Sequence, residues 1–386
     1  MNDPDPAQSK PRRHWFSFSL RGMLLLMLFI CGLSAFLAKD IIEGREEQAI
    51  VDQVNQVGAY ITYVHQQESN HGLVPGNPLL KSIFGENYLA RVRELSLNGP
   101  IGEDVIVQLP QLRQLEILRI GPEKLSDRSV DALVRIPQLQ VVYFDGTEIT
   151  PQQLRRLAKS SSLIQLVLDR QTSTDAHLAQ LKHFPHLESI HLWDLSQSGL
   201  GIPTTDAGIE SLLDVDGLQH VSIFLAPHIT DKSLEHISKL PNLRLLDIAK
   251  APITNQGFAH LAGMTKLESL RIHADPPIQP IDVERIRQLK SLEKLVGLEL
   301  RGKGFDDQFL AAIAPLPKLE WIYLAGTSIT DADLPPLKEC PALSRITLSG
   351  NSITPAGLEA IGFLNDPQVH PKDYYERKLP TKPAQP

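Results

Sequence analysis

The sequence has little cysteine, no excess of positive charge and few aromatic residues. Its 386 residues include only two cysteines, Cys31 and Cys340, which rules out a disulfide framework. The formal net charge of -7 gives no basic footprint of the kind that nucleic-acid-binding domains carry. Cys340 stands where other copies of the repeat described below have Leu, Ile or Phe, so we interpret it as a small buried apolar residue.

Motifs of catalytic sites are also missing. The sequence contains no GxSxG, P-loop or GxGxxG motif. The histidines at 177, 183, 186 and 191 lie close together in sequence, but their spacing does not match HExxH and no cysteine is near. Carboxylates such as Glu210 and Glu235 are expected on solvated helix faces. We therefore predict no catalytic residue, no metal site and no cofactor, and a protein that is not an enzyme.

One long uncharged run occurs near the N-terminus. Residues 22–38 carry no charge, and their centre is the apolar stretch Met23–Ile30. A membrane-spanning helix needs about 17 to 25 apolar residues, so this run is at the short end. We predict a cytoplasmic segment at 1–21 and a single transmembrane helix at 22–38 that contacts the lipid bilayer.

The flanking charges predict the orientation of that helix. Residues 1–21 carry Lys10, Arg12, Arg13 and Arg21, whereas acidic residues dominate positions 39–52. The positive-inside rule then places the N-terminus in the cytoplasm and the rest of the chain outside the cytoplasmic membrane. The alternative is a cleaved signal peptide and a secreted protein, although bulky residues stand three positions before the candidate cleavage sites.

A leucine pattern dominates the rest of the chain. The phrase Leu-x-x-Leu-x-Leu, with Ile or Val allowed, recurs at a usual spacing of 24 residues. Two longer intervals indicate insertions, one within Leu195–Pro203 and one near Lys290–Lys294. The first positions of the units are Val92, Leu115, Leu139, Leu163, Leu187, Leu218, Leu243, Leu267, Leu295, Leu319 and Leu343.

Each unit predicts one short strand and one short helix. Val142 and Phe144 alternate with Val141 and Tyr143, so the first pair is expected to point inward and the second outward. Thr150-Pro151 then supplies an N-cap and a first helical residue. Stacked units of this kind predict an α/β leucine-rich-repeat solenoid of about eleven 24-residue repeats, with a parallel concave sheet and short convex helices.

Two segments carry a resemblance to known proteins. The unit tails, such as Ile229-Thr230-Asp231 and Ile353–Leu358, resemble the I-T-D-x-G-L pattern of ribonuclease-inhibitor-like and cysteine-containing leucine-rich repeats. The front end, with Trp15–Arg21 before the apolar run and Gly58–Tyr63 after it, resembles a group of bacterial membrane-anchored repeat proteins. The resemblance implies a binding scaffold and supplies no catalytic residues.

The ends of the array need caps because terminal repeats expose apolar surface. We predict an N-terminal cap at 39–91 that contains a helix at Glu46–Val57, a strand at Ala59–His65 and a second helix at Leu79–Phe84. The leucine-rich-repeat domain then covers 92–365. Residues 366–386, which are rich in proline, are expected to form a disordered or loosely packed tail.

The outward strand positions are the predicted binding surface. Tyr, Trp and Arg are enriched at binding hot spots, and an exposed aromatic patch calls for a partner. The alternative is that neighbouring strands pair these side chains for stability alone. The insertion Leu195–Pro203 is expected to protrude beside them. The predicted partner-binding residues are Tyr143, His191, Trp193, His220, Phe224, Asp247, Arg271, Trp321 and Tyr323.

The pattern therefore favours a non-catalytic, membrane-anchored scaffold that binds a protein or an envelope polymer through its concave face. The first alternative is a structural envelope protein that associates with itself. The second is an enzyme whose site has no recognisable motif. The sequence predicts no nucleic-acid partner.

Overall fold

The computed structural model describes residues 20–56, 58–63, 91–99, 101–194, 200–273, 288–303, 305, 307–365 and 375–377. A fourteen-stranded sheet runs through these residues, with the strands in chain order except that the last two exchange places. The strands are β1 Tyr60–Tyr63, β2 Val92–Leu97, β3 Ile117–Ile120, β4 Val141–Phe144, β5 Gln165–Leu168, β6 Ser189–Trp193, β7 His220–Phe224, β8 Leu245–Ala249, β9 Ser269–His273, β10 Gly297–Arg301, β11 Trp321–Ala325, β12 Arg345–Ser349, β13 Phe363–Asn365 and β14 Tyr375–Arg377.

The helices alternate with the strands. Short 3-10 turns at Leu109–Gln111, Leu181–His183, Ser211–Asp214, Gln288–Ser291, Asp331–Asp333 and Pro335–Glu339 complete or replace some of them. The α-helices are α1 Leu20–Gln56, α2 Glu103–Ile106, α3 Asp127–Val134, α4 Pro151–Leu157, α5 Asp175–Leu178, α6 Asp206–Glu210, α7 Asp231–Ile237, α8 Asn255–Leu261, α9 Asp307–Ile313 and α10 Pro355–Ala360.

Strands β2 to β12 are parallel and in register, so equivalent residues of successive units lie side by side. Leu139, Leu163 and Leu319 are at most 1% exposed and occupy equivalent interior positions. Cys340 is also fully buried, in the row that holds Leu316 and Phe184. The fold is the leucine-rich-repeat solenoid expected from the sequence, and each predicted first position lies at or two residues before the start of a parallel strand.

The Thr-Asp pairs link neighbouring units as well as capping helices. The Thr254 hydroxyl accepts a hydrogen bond from the backbone N–H of Gln256 and so caps α8. Asp231, from the preceding unit, accepts hydrogen bonds from the backbone N–H and the hydroxyl of the same threonine. Asp175, Asp206 and Asp331 bind the caps Thr205, Thr230 and Thr354 in the same way.

Antiparallel strands close both ends of the parallel sheet. β1 pairs with β2 at the N-terminal end, and β14 pairs with β12 and β13 at the C-terminal end. Ile50, Val51 and Val54 of α1 are buried in the core. The expected loose tail therefore contains a paired strand at Tyr375–Arg377, while the rest of 366–386 lies outside the described residues.

The structure differs from the sequence interpretation at two other places. The expected helix at 46–57 is the end of the single 37-residue helix α1, and Val57 and the expected helix at Leu79–Phe84 lie outside the described residues. The second insertion was placed wrongly. Leu289 and Leu292 are buried at ordinary repeat positions, so the extra residues of that unit precede Gln288.

The apolar run at 22–38 lies within α1. The eight side chains of Met23–Ile30 are all exposed, by 46% to 68%. The described side chains of this helix stop at Gly32 and resume at Ile42. Within the described part of the chain, no helix combines the length and the apolar character needed to cross a membrane.

Candidate functional site: the concave face

The concave face is built from the outward positions of the parallel strands. Tyr143, His191 and Asp247 lie in one central row, which the strand register aligns with Arg271 and Tyr323. His220 and Trp321 lie in the row toward the strand starts, and Trp193 and Phe224 in the row toward the strand ends. Every predicted partner-binding residue thus faces the same side of the sheet.

The first aromatic position stands apart from the others. Tyr143 on β4 is half-buried, and the guanidinium of Arg119 on β3 lies 4.1 Å from the centre of its ring. Val167, the next residue in the central row, is only 1% exposed. This buried valine separates Tyr143 from the polar and aromatic residues of β6 to β11.

His191, Trp193 and His220 form a packed cluster on β6 and β7. The His191 ring lies 4.4 Å from the His220 ring and 5.2 Å from the Trp193 ring, in both cases nearly perpendicular. The Trp193 Nε1–H donates to the hydroxyl of Ser222 at 3.0 Å. His191 was predicted to be available to a partner, but only 8% of it is exposed because its two aromatic neighbours cover it.

Burial keeps both histidines of this cluster neutral at physiological pH. It lowers the pKa of His191 to about 4, with a smaller contribution from the neighbouring His220. It also lowers the pKa of His220 to about 4, helped by the charge of Arg271. Ser189 and His191 share a hydrogen bond at the Nε2 atom, whereas the buried His191 Nδ1 has no partner.

Phe224 lies at the rim, where the backbone is strained. The Lys250 amine is 5.5 Å from the centre of the Phe224 ring. Leu225 and Lys250, directly after β7 and β8, have φ angles of 59° and 52°. The equivalent positions after β10, β11 and β12 are glycines, which adopt such angles without a steric penalty. Strained non-glycine residues of this kind concentrate at functional sites.

The described end of the first insertion packs on this rim. Leu225 accepts a hydrogen bond from the backbone N–H of Ile202, which is fully buried. The Gly201 N–H donates to the Asp194 carboxylate at 2.8 Å. Leu200 is 61% exposed, and residues 195–199 lie outside the described part. The insertion therefore ends by docking on the rim beside Phe224.

A charged network occupies β8 to β10. The Glu299 carboxylate accepts hydrogen bonds from His273 Nε2 at 3.1 Å and from Arg301 Nε at 2.5 Å. Arg271 Nε lies 3.5 Å from the same carboxylate. The hydrogen bond from His273, followed by that from Arg301, lowers the pKa of Glu299 to about 2. Burial raises the pKa of Asp247, which accepts a hydrogen bond from Ser222.

The second aromatic pair is on β11. The Arg301 guanidinium lies 4.7 Å from the centre of the Tyr323 ring. The indole of Trp321 occupies the space where a side chain at Gly297 would begin. Gly297 therefore provides room for the ring beside β10. Its role was not predicted, although a glycine inside a strand is a sequence signal for close approach of another group.

Two open depressions border the concave face. One, of about 520 Å³, lies at the strand starts around Glu188, Arg244 and Glu268. The other, of about 530 Å³, lies after the first strands around Asp145 and Asp169. Neither is lined by the predicted partner-binding residues. Among the described residues, no three His, Cys, Asp or Glu side chains are grouped to hold a metal ion.

No protein-family model matches this sequence, and no curated protein matches it either. Solved structures that resemble this one include an internalin (inlF) from Listeria monocytogenes, with 20% identity and a TM-score of 0.43. The match covers 64% of this chain and 65% of that one, which is less than two thirds of its length. Internalin C2 (inlC2) of the same organism has 23% identity and a TM-score of 0.37, over 58% of this chain and 84% of that one.

Proposed function

We propose that this protein is a non-catalytic scaffold that binds another macromolecule, a protein or an envelope polymer, through its concave face. The observation that carries the proposal is the alignment of all nine predicted residues on one side of the sheet, in rows set by the strand register. Aromatic and arginine side chains are the groups that dominate binding energies at interfaces. Because the solenoid supplies them from successive rigid strands, the surface is preorganised for a partner.

The strained rim gives independent support for a site at the middle of this surface. Leu225 and Lys250 keep left-handed backbone angles that the later repeats assign to glycine. Such conformations persist when the surrounding structure enforces them and are concentrated at binding sites. Both residues adjoin Phe224, one of the predicted contact residues.

We further propose that the N-terminal helix holds this scaffold at the cytoplasmic membrane, with the repeats outside. The support is the uncharged run at 22–38, the exposure of every side chain in Met23–Ile30, and the basic residues that precede the run. A contiguous exposed apolar surface of this size requires a cover, and lipid is an apolar one.

The binding proposal is tested by crosslinking and mass spectrometry on the full-length membrane-bound protein. The variant Trp193→Ala with Phe224→Ala removes two aromatic contacts, and we expect it to lose most of the partner captured by the native chain. A matched control, Gln152→Ala with Lys232→Ala, changes two exposed residues of the convex helices and should capture the partner normally.

Three results distinguish the alternatives. Loss of a foreign partner only in the concave variant supports the scaffold. Loss of self-association alone supports the structural envelope protein instead. If both variants capture the same partners as the native chain, the concave face is not the binding surface.

A further inference from the structure

Three buried polar atoms on the concave face have no hydrogen-bond partner. They are His191 Nδ1, Ser269 Oγ and Arg271 Nε, on strands β6 and β9. Arg271 Nε lies 3.5 Å from the Glu299 carboxylate, an ion-pair distance, but makes no hydrogen bond to it. Buried polar atoms in native proteins are almost always hydrogen-bonded, because an unpaired one loses its hydrogen bonds to water without replacement. These three atoms lie on the concave side of the sheet beneath neighbouring side chains, so a ligand that displaces those side chains is able to complete their hydrogen bonds.

Apart from the exposed Lys250 at the rim, the charges of the same region balance. Glu299 is paired with Arg301 and lies at ion-pair distance from Arg271. Asp247 lies on β8, between Ser222 on β7 and Arg271 on β9. Its carboxylate offsets the charge of Arg271. With both histidines of β6 and β7 neutral, the surface offers donors and acceptors without favouring an anion or a cation.

The aromatic groups lie on either side of this polar region. Trp193 and Phe224 are on β6 and β7, and Trp321 and Tyr323 are on β11. Four strand spacings, roughly 20 Å, separate β7 from β11. A protein partner usually requires a continuous apolar core at the centre of its interface. Here the centre is polar and the aromatic residues are at its two ends.

A sugar chain matches this order of groups. One face of a sugar ring presents C–H bonds, which are attracted to the negative face of an aromatic ring, while its edge carries uncharged hydroxyls. The hydroxyls are able to donate to His191 Nδ1, donate to or accept from Ser269, and accept from Arg271. We propose, on the basis of the function proposed above, that the concave face from β6 to β11 binds an uncharged oligosaccharide or polysaccharide.

The proposal is tested with the full-length protein in detergent, against an array of neutral oligosaccharides of several rings and a parallel array of peptides. We expect at least one neutral oligosaccharide to bind. Trp321→Ala and Gly297→Ala should each weaken that binding about tenfold or more. The second variant leaves the indole intact but places a methyl group in the space that the indole occupies.

Ser269→Ala separates binding from folding. It removes a buried hydroxyl that has no partner, so we expect the melting temperature to be unchanged or higher while oligosaccharide binding falls. Thr347→Ala, in the central row of β12 beyond the proposed contact, is the control and should bind normally.

The outcomes also separate this proposal from the more general one. If no neutral oligosaccharide binds, or if Trp321→Ala, Gly297→Ala and Ser269→Ala all bind it as the native chain does, the carbohydrate proposal is wrong. If peptides bind instead and the Trp193 and Phe224 variant loses them, the concave scaffold stands and only its ligand class changes.

Discussion

His191 and His220 make the middle of the concave face sensitive to acid. Their pKa values of about 4 in the folded chain lie below the ordinary value of 6.5, so the unfolded chain binds more protons. Their contribution to stability is therefore complete above pH 6.5 and is lost as the pH falls toward 4. For His191 alone, we expect a loss of about 2 kcal/mol between pH 7.5 and pH 5.

Denaturant unfolding at the two pH values measures this loss, and His191→Phe is the matched variant. Phenylalanine keeps a ring beside Trp193 but does not titrate, so its stability should change less with pH than that of the native chain. Asp247 and Arg271 also face the pair, and the raised pKa of Asp247 acts in the opposite direction. An equal pH dependence in both proteins would contradict the assignment to His191.

For single residues, the sequence predicts which face of the sheet a side chain points to better than it predicts how exposed that side chain is. The alternation of strand residues places Trp193 and Tyr323 on the concave side because side chains point to opposite faces in turn. The same alternation assigned His191 to the surface, but Trp193 on the same strand and His220 on the next strand bury it, and the alternation does not predict how far neighbouring side chains cover one another. Likewise, Ser269 and Lys250 were not singled out, because their significance depends on contacts across strands.

The elements on the convex side are joined by the carboxylate and threonine contacts between units. In α8, a side chain at Gly257 would collide with the Asp231 carboxylate of the preceding unit. Gly208 and Gly357 have the same neighbour in Asp175 and Asp331. The tail Thr205-Asp206-Ala207-Gly208 combines three roles: the threonine caps the helix, the aspartate links to the next unit, and the glycine leaves room for the carboxylate of the previous unit.

This arrangement predicts the effect of Gly257→Ala. Alanine normally stabilises a helix relative to glycine by up to about 1 kcal/mol, but here its methyl group displaces Asp231 and the link to Thr254. We expect a net destabilisation of about 1–3 kcal/mol by thermal or denaturant unfolding. Gly263→Ala is the control, because its methyl group would meet only the His260 carbonyl oxygen, at an ordinary 3.5 Å. Equal stability of the two variants would contradict this role.

Element boundaries were predicted less well than the elements themselves. The Thr residues and the leucine period mark the strands and convex helices, since caps and buried positions are local signals. No local signal shows that α1 continues from residue 38 to residue 39. The charged residues that follow position 38 suggest a boundary, but a partly exposed helix tolerates them. The second insertion was misplaced because only the burial of Leu289 and Leu292 identifies them as ordinary repeat positions.

The whole molecule depends on its two ends, since each repeat is stabilised by its neighbours. β14 covers the edge of β12 and is also the partner of β13. Truncation after Asn365 removes β14 and leaves β12 and β13 without a partner on the sides where β14 pairs with them. We expect the melting temperature to fall by a few degrees and aggregation to increase. A chain truncated after Arg377 keeps the strand and should melt like the full-length protein, whereas equal melting of both truncations would show that β14 contributes no stability.

The proposed topology is a second property of the whole chain. An apolar helix with arginines before it and acidic residues after it is inserted with its basic side in the cytoplasm. We expect alkaline phosphatase fused after Pro386 to be active, because that enzyme folds only outside the cytoplasmic membrane, and a fused fluorescent protein that folds only in the cytoplasm to be dark. Changing Arg12, Arg13 and Arg21 to Glu should reduce the phosphatase signal, whereas changing Glu46 and Asp52 to Gln should not. The reverse pattern of reporter signals would place the repeats in the cytoplasm and contradict the proposed topology.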